Sequence, residues 1–378
     1  MKKVLAILLS AAMILSLAAC GGGTTVQSAE SAAAETPVTE AAKEEAAPAA
    51  AEEAAPAAEA PAKESKGVYA IITKSAGNPY NEREASGFEA AITGAGYEAI
   101  IKHPAEITAE AQITLINELV AQGVDGIAIA ANDFDALETS LKAAMDAGIH
   151  CICLDSSCNP ASREVFINQA GVKEVGQCLV DATYDLTGGE GQWAILSATS
   201  VATNQNAWID AMKEILKDDK YSKMELVEVA YGDDEQQKSV DETKALLQNY
   251  PDLKLINAPT TVGIAAASKV IQDEGLCGKV IVTGLGLPSE MAEFMEGENP
   301  ACPYMFLWNP IDVGAVAGYT LMAMVNDGFD GGQVGASFTA ADGKTYTVSQ
   351  ADDGGTQIIV GPPFKFDSSN IADWKTVY

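Results

Sequence analysis

From Gly67 onward, short apolar runs alternate with stretches whose apolar residues recur at helical spacing. GVYAIIT (67–73) and YEAIIK (97–102) read as strands, and between them Ala85, Phe88 and Ile92 mark one face of a helix. TAEAQITLINELVAQG (108–123) opens on a Thr108 cap and stops at Gly123. GIAIAA (126–131), a helix over 134–147, CICLD (151–155) and EVFINQ (164–169) continue the rhythm. A second series follows: helix 172–187, QWAILSA, helix 205–217, ELVEVAYG, helix 235–249, LKLINAP, helix 262–274 and KVIVTGLG. Continuous apolar strands are expected where helices cover both faces of a sheet. Repeated strand–helix units predict parallel sheets with right-handed crossovers.

The fold class is therefore α/β, with two doubly wound parallel-sheet lobes joined by a multi-strand hinge. YMFLWN (304–309) and the helix over 311–327 are one unit too many for the second series and are read as crossing back. The first lobe is then 67–168 with 304–330. Residues 169–303 and 331–378 form the second lobe and hinge, with TQIIVGPPF (356–364) near the hinge or on the second lobe.

The N-terminus differs in kind. Lys2 and Lys3 precede an apolar run, Val4 to Ala19, that is short for a membrane span, so residues 1–20 read as a secretory signal. Its ending, Leu17-Ala18-Ala19-Cys20-Gly21, resembles a bacterial lipobox, which implies lipidation of Cys20 as the first mature residue. Residues 21–66 contain 17 Ala, nine Glu, four Pro and no aromatic residue. Such a segment buries too little apolar surface to offset its ordering entropy and reads as a tether. The expected location is outside the cytoplasm, with the membrane reached through the lipid alone.

Charge narrows the function. Across 378 residues, 53 Asp and Glu face 23 Lys and Arg, a net −30. Nucleic acid and anionic lipid headgroups are poor partners for such a chain. Two histidines, His103 and His150, and a C-x-C without a second ligand pair argue against a metal site, and no cofactor is expected. Beyond Cys20 there are six cysteines; Cys151 and Cys153 share one strand face and are poor partners for each other. Buried thiols are expected, with a disulfide involving Cys158 left open.

In open α/β sheets, ligands bind beyond the carboxyl ends of the strands. That rule selects Thr73, Lys74, Asn78, Pro79 and Tyr80 after the first strand and Asp155 after CICL. In the later loops it selects Asn204, Gln205 and Asn206; Pro259, Thr260 and Thr261; Leu285, Gly286 and Leu287; and Trp308 with Asn309. Carboxylate, amides, hydroxyls and a lysine pair with sugar hydroxyls, while Tyr80 and Trp308 suit the apolar face of a pyranose. Each residue also has a structural role open to it. Asp155, Asn204, Thr260, Thr261 and Asn309 are candidate caps or turn residues, Lys74 a surface charge, and Tyr80 and Trp308 core aromatics.

At these loops the sequence resembles the type I periplasmic binding proteins of bacterial ABC importers. KSAGNPY, CLDSSCNP, INQAG, SATSVATNQNAW, APTTVGIAAA, TGLGLPSEM and FLWNPIDVG look like the branch of rhamnose-binding and autoinducer-2-binding proteins. The resemblance implies no reaction; it implies capture of a sugar and delivery to permease subunits by a monomer. Lys74, Asp155, Gln205 and Pro259 match the pattern of the autoinducer-2 receptors, but Asn204 replaces an Asp, and Thr260-Thr261 replace Asp-Ala. TNQN, PTTVGIAAA, GLPSEM and LWNP look more like the rhamnose-binding group, so rhamnose or a similar deoxyhexose is favoured. Leu287 or Trp308 is the expected contact for its C6 methyl. Autoinducer-2 binding, or a sensor presenting the same ligand to a membrane receptor, stands as the alternative. No nucleophile elbow, phosphate loop or metalloprotease motif points to an enzyme.

Overall fold

The computed structural model describes residues 66–378. The signal sequence expected over 1–20, Cys20 and the tether up to residue 65 lie outside the described residues. The first series comprises β1 (Val68–Ile72), α1 (Pro79–Gly94), β2 (Glu98–Lys102), α2 (Ala109–Gln122), β3 (Gly126–Ile129), α3 (Glu138–Asp146), β4 (His150–Leu154) and β5 (Phe166–Asn168). The second comprises α4 (Val172–Thr187), β6 (Gly191–Ser197), α5 (Thr203–Ile215), β7 (Met224–Tyr231), α6 (Gln236–Asn249), β8 (Leu253–Ala258), α7 (Thr261–Asp273) and β9 (Ile281–Gly284). The short α8 (Pro288–Met291), β10 (Tyr304–Leu307) and α9 (Pro310–Asp327) follow. The chain ends with β11 (Ser337–Thr339), β12 (Thr345–Thr347), β13 (Ser349–Gln350), β14 (Thr356–Ile359), β15 (Phe364–Asp367) and α10 (Ile371–Trp374).

The continuous apolar strands have the predicted cause. Tyr69 and Ile71 of β1, Ala128 of β3, and Ile152 and Leu154 of β4 face one core layer. Their alternating neighbours Ala70, Ile72, Ile127, Ile129, Cys151 and Cys153 face the other, and all are buried. Strand side chains alternate faces, so a sheet covered on both sides needs apolar residues at every position. Cys151 and Cys153 do share a face. The six described cysteines are free thiols, with the Cys153 Sγ 2.8 Å from the Cys158 Sγ. Helix ends follow local chemistry as well. Thr108 Oγ1 accepts from the Ala111 amide at 3.2 Å, and Gly123 closes α2 at φ 70°.

The first sheet has the order β13-β14-β5-β4-β3-β1-β2 and is parallel except for β13. The second has the order β7-β6-β8-β9 and is wholly parallel. Two boundaries differ from the sequence reading. Residues 304–307 do not join the first lobe: β10 pairs antiparallel with β15, and Phe306 bridges Leu285 beside the second sheet. The crossing back comes one step later, at Trp308-Asn309, after which α9 packs on α1, β3, β4 and β5. Conversely, 331–378 is not all second lobe and hinge. Strand β14 pairs in parallel with β5 in the first sheet, Ile358 is buried there, and Arg163 holds Asp353 in an ion pair at 2.8 Å. The chain then returns through β15 to the second lobe, where Phe366 and Tyr378 are buried and the Tyr378 carbonyl accepts from the Ser289 amide. Three crossings, at 169–171, 308–309 and 360–363, therefore join the lobes.

Helix α9 seats on α1 through glycine. A Cβ at Gly87 would lie 1.9 Å from the Ile311 carbonyl oxygen, and one at Gly314 would lie 1.8 Å from that of Glu84. Only hydrogen fits between these backbones. The contact fixes the helix that begins immediately after Trp308.

Candidate ligand-binding site

The carboxyl ends of both sheets meet across a cleft, and most of the selected residues converge there. Lys74, Asn78, Tyr80 and Asp155 come from the first lobe. Asn204, Gln205, Pro259, Thr260 and Thr261 come from the second, and Trp308 comes from the crossing.

Asp155 is the centre of the arrangement. It follows β4 at φ 56°, a left-handed conformation that Asp tolerates better than most residues. That turn aims its carboxylate at the cleft. Its Oδ1 accepts from the Tyr80 hydroxyl at 3.1 Å, and its Oδ2 accepts from Asn204 Nδ2 at 3.2 Å. The Lys74 Nζ lies 4.0 Å away and donates to Asn204 Oδ1 at 2.8 Å. Trp308 Nε1 donates to the Tyr80 oxygen at 2.7 Å, and the Trp308 ring packs on Trp208 at 5.5 Å. A polar chain thus runs from Lys74 through Asn204 and Asp155 to Tyr80 and Trp308, crossing between lobes.

Electrostatics follow from burial. Desolvation raises the Asp155 carboxyl, opposed by the Lys74 charge and by the hydrogen bonds from Tyr80 and Asn204. Burial, then the charges of Asp155 and Glu84, push the Tyr80 hydroxyl well above its ordinary value, so it remains a donor. Glu84 on α1 is fully buried, and neither carboxyl oxygen has a hydrogen-bond partner among the described residues. Burial and the neighbouring Asp155 raise it well above the usual carboxylate range.

Several residues depart from the sequence reading. Asn204 lies inside the first turn of α5, whose N-cap position is Ala202, so its amide is free to span the cleft. Thr260 occupies the N-cap position of α7 but turns its hydroxyl to Asp234 Oδ1 instead of capping. Thr261 Oγ1 donates across the cleft to Asn78 Oδ1 at 3.4 Å, while Asn78 also caps α1. Asn309 caps α9 by accepting from the Ile311 amide and does not line the cavity. Neither do Gly286 and Leu287. Leu287 is fully buried in the second core, and a Cβ at Gly286 would lie 2.6 Å from the Met305 sulfur. Leu285 and Leu307 supply the apolar wall beside Trp308 instead.

Asn81, Trp208 and Asp234 also line the site, and the sequence reading missed them. Asp234 was within reach of the strand-end rule, since it follows β7 in the loop GDDE. Burial raises its carboxyl, opposed by Lys74 and the Thr260 hydroxyl. Trp208 sits one helical turn beyond Asn204, so the two share a face of α5.

The cavity between these groups is about 30 Å³, room for one or two waters. That is too small for a six-membered ring while Lys74, Asp155 and Asn204 bond to one another. The donor set is rich in amides and hydroxyls with apolar walls, a chemistry of capture.

Residues 69–328 match the family model described as a periplasmic binding protein domain. An ABC transporter solute-binding protein from Clostridium phytofermentas, solved with bound L-rhamnose, is 54% identical; the match covers 82% of this chain and 98% of that one, with a TM-score of 0.80. The D-ribose/D-allose-binding protein of Pseudomonas aeruginosa is 27% identical over 188 residues, 47% of this chain and 57% of that relative's length. LsrB from Clostridium saccharobutylicum, solved in complex with AI-2, shares the fold at 22% identity and a TM-score of 0.75, over 81% of this chain and 99% of that one. The first two are binding proteins by name. With two parallel-sheet lobes, three crossings and a polar cleft at the strand ends, the chain belongs to the periplasmic binding protein family.

Proposed function

We propose that this sugar-binding protein of an ABC transporter captures L-rhamnose or a closely similar deoxyhexose in the Asp155–Asn204 cleft. One observation carries the choice of sugar: 54% identity, across nearly the whole of a relative, to a protein solved with L-rhamnose. The cleft chemistry agrees. Asp155, Asn204 and Lys74 meet ring hydroxyls, while Leu285, Leu307 and Trp308 offer a wall without a polar partner for a methyl group. Asn204 also argues against the autoinducer-2 pattern. Its amide donates to Asp155 Oδ2, where an aspartate would set two carboxylates against each other.

Sugar contacts from both lobes stabilise the closed form, which then docks on permease subunits. The protein acts as a monomer outside the cytoplasm, held at the membrane by a lipid on Cys20. Thermal melts of the purified protein against L-rhamnose, ribose, other hexoses and autoinducer-2 test the ligand, because a ligand specific to the native state raises the melting temperature. A shift with L-rhamnose is expected. A shift with autoinducer-2 alone, or with ribose alone, would overturn the assignment.

A further inference from the structure

A second cavity of about 210 Å³ lies directly behind the cleft, against the hinge. Asp155, Asn204 and Trp208 line both spaces, so the two are neighbours. The second cavity opens in turn onto a surface groove, with which it shares Asn168, Val172, Asp352 and Gln357. A cavity of about 150 Å³ accommodates benzene, so about 210 Å³ has room for a substituted six-membered ring.

The lining is suited to carbohydrate. Phe134, Phe166 and Trp208 supply aromatic surface, and Ser157, Thr203 and Gln357 supply hydroxyls and an amide. The lining carries three carboxylates, Asp155, Asp352 and Asp353, and no lysine or arginine. An anionic substituent is disfavoured there.

We infer that this cavity is a second compartment of the site and takes the neutral group glycosidically linked to the captured deoxyhexose. The protein then accepts a neutral rhamnoside, such as a rhamnosyl disaccharide, as well as the free sugar. The groove past Asp352 lets a longer chain leave the cleft. The inference rests on the deoxyhexose reading above.

Calorimetric titration of the purified protein with L-rhamnose, and with neutral rhamnosyl disaccharides joined through each ring position, tests it. At least one disaccharide is expected to bind within about tenfold of the free sugar. Val172→Trp, which fills the second cavity, should then weaken that disaccharide by at least about tenfold while leaving L-rhamnose within about threefold. Ala207→Phe fills the same cavity from α5 and gives the same reading should the first variant fail to fold. Binding of L-rhamnose with every disaccharide about 100-fold weaker or silent would overturn the inference and leave the deoxyhexose reading intact. Equal losses of free sugar and disaccharide in the variants would overturn it too, by making the cavity part of the monosaccharide seat. Silence of L-rhamnose itself would overturn the deoxyhexose reading and the inference with it.

Discussion

The two lobes contribute unequal charge to one cleft. The first lobe brings Lys74, Tyr80 and Asp155, with Glu84 buried behind them. The second brings amides and hydroxyls, from Asn204, Gln205, Thr260 and Thr261, with Asp234 as its one carboxylate. One helix pair in each lobe is also seated differently. In the first, α1 and α9 touch backbone to backbone at Gly87 and Gly314. In the second, Gly176 of α4 faces the Ala211 side chain of α5, with a would-be Cβ 2.8 Å away. The difference assigns separate roles. On the proposed function, the desolvated charges of the first lobe are expected to set the strength of binding, and the amides and hydroxyls of the second to set which hydroxyls are read.

The largest effect should come from removing the charge. Asp155→Ala deletes the acceptor for Tyr80 and Asn204 and, in the complex, for sugar hydroxyls. Two charge-assisted bonds at about 1.5 kcal/mol each correspond to about 100-fold weaker L-rhamnose binding by calorimetry. A loss under about fivefold would remove Asp155 from its central place. Next is the seating of the first lobe. Gly314→Ala drives a methyl into the Glu84 carbonyl oxygen and should destabilise the fold by about 2–3 kcal/mol in urea melts. Gly176→Ala should cost less, because its Cβ would meet its nearest neighbour at 2.8 Å against 1.8 Å at Gly314. The reverse order would break the contrast between the lobes.

Asn204→Ala probes the neutral lobe. It removes one amide and should weaken L-rhamnose by about tenfold, less than Asp155→Ala, as two neutral bonds of about 0.7 kcal/mol each would. The last effect is one of pH. Glu84 is raised in the folded state, so below the unfolded value near 4.5 both states hold the proton and the group is silent. Above that value the unfolded chain releases its proton while the folded one keeps it. Stability therefore falls as pH rises, by up to about 1.4 kcal/mol per unit, until the folded group itself titrates. Melting temperatures of Glu84→Gln should be flatter than those of the parent between pH 5 and 8. Parallel curves would contradict the placement of that carboxyl.

The lobes and most of the cleft were legible because they rest on local signals. Doubly covered strands must be apolar throughout, and strand ends in such sheets are where polar loops converge. Lys74, Asp155 and Asn204 followed from position alone. The failures have equally physical causes. Strand β14, TQII, is too short and mixed to announce its sheet, and its place depends on pairing with β5, nearly two hundred residues earlier. Strand β10 looked like a unit of the first lobe because α9 truly is one; the switch falls between them, at a residue pair no pattern marks. The strand-end rule is exact only to a residue or two: of Leu285, Gly286 and Leu287, only Leu285 lines the cavity. Glu84 was invisible to that rule, since it enters from the second turn of a helix, with no strand end nearby.

The central claim is that this cleft reads a deoxyhexose through Asp155 and an apolar wall. Side-by-side calorimetry with L-rhamnose and L-mannose, which differ only in a hydroxyl at C6, tests it most directly. Tight one-to-one binding of L-rhamnose is expected, with about 10- to 100-fold weaker binding of L-mannose, whose extra hydroxyl would meet Leu285, Leu307 and Trp308. Equal affinities, or no heat with L-rhamnose, would contradict it.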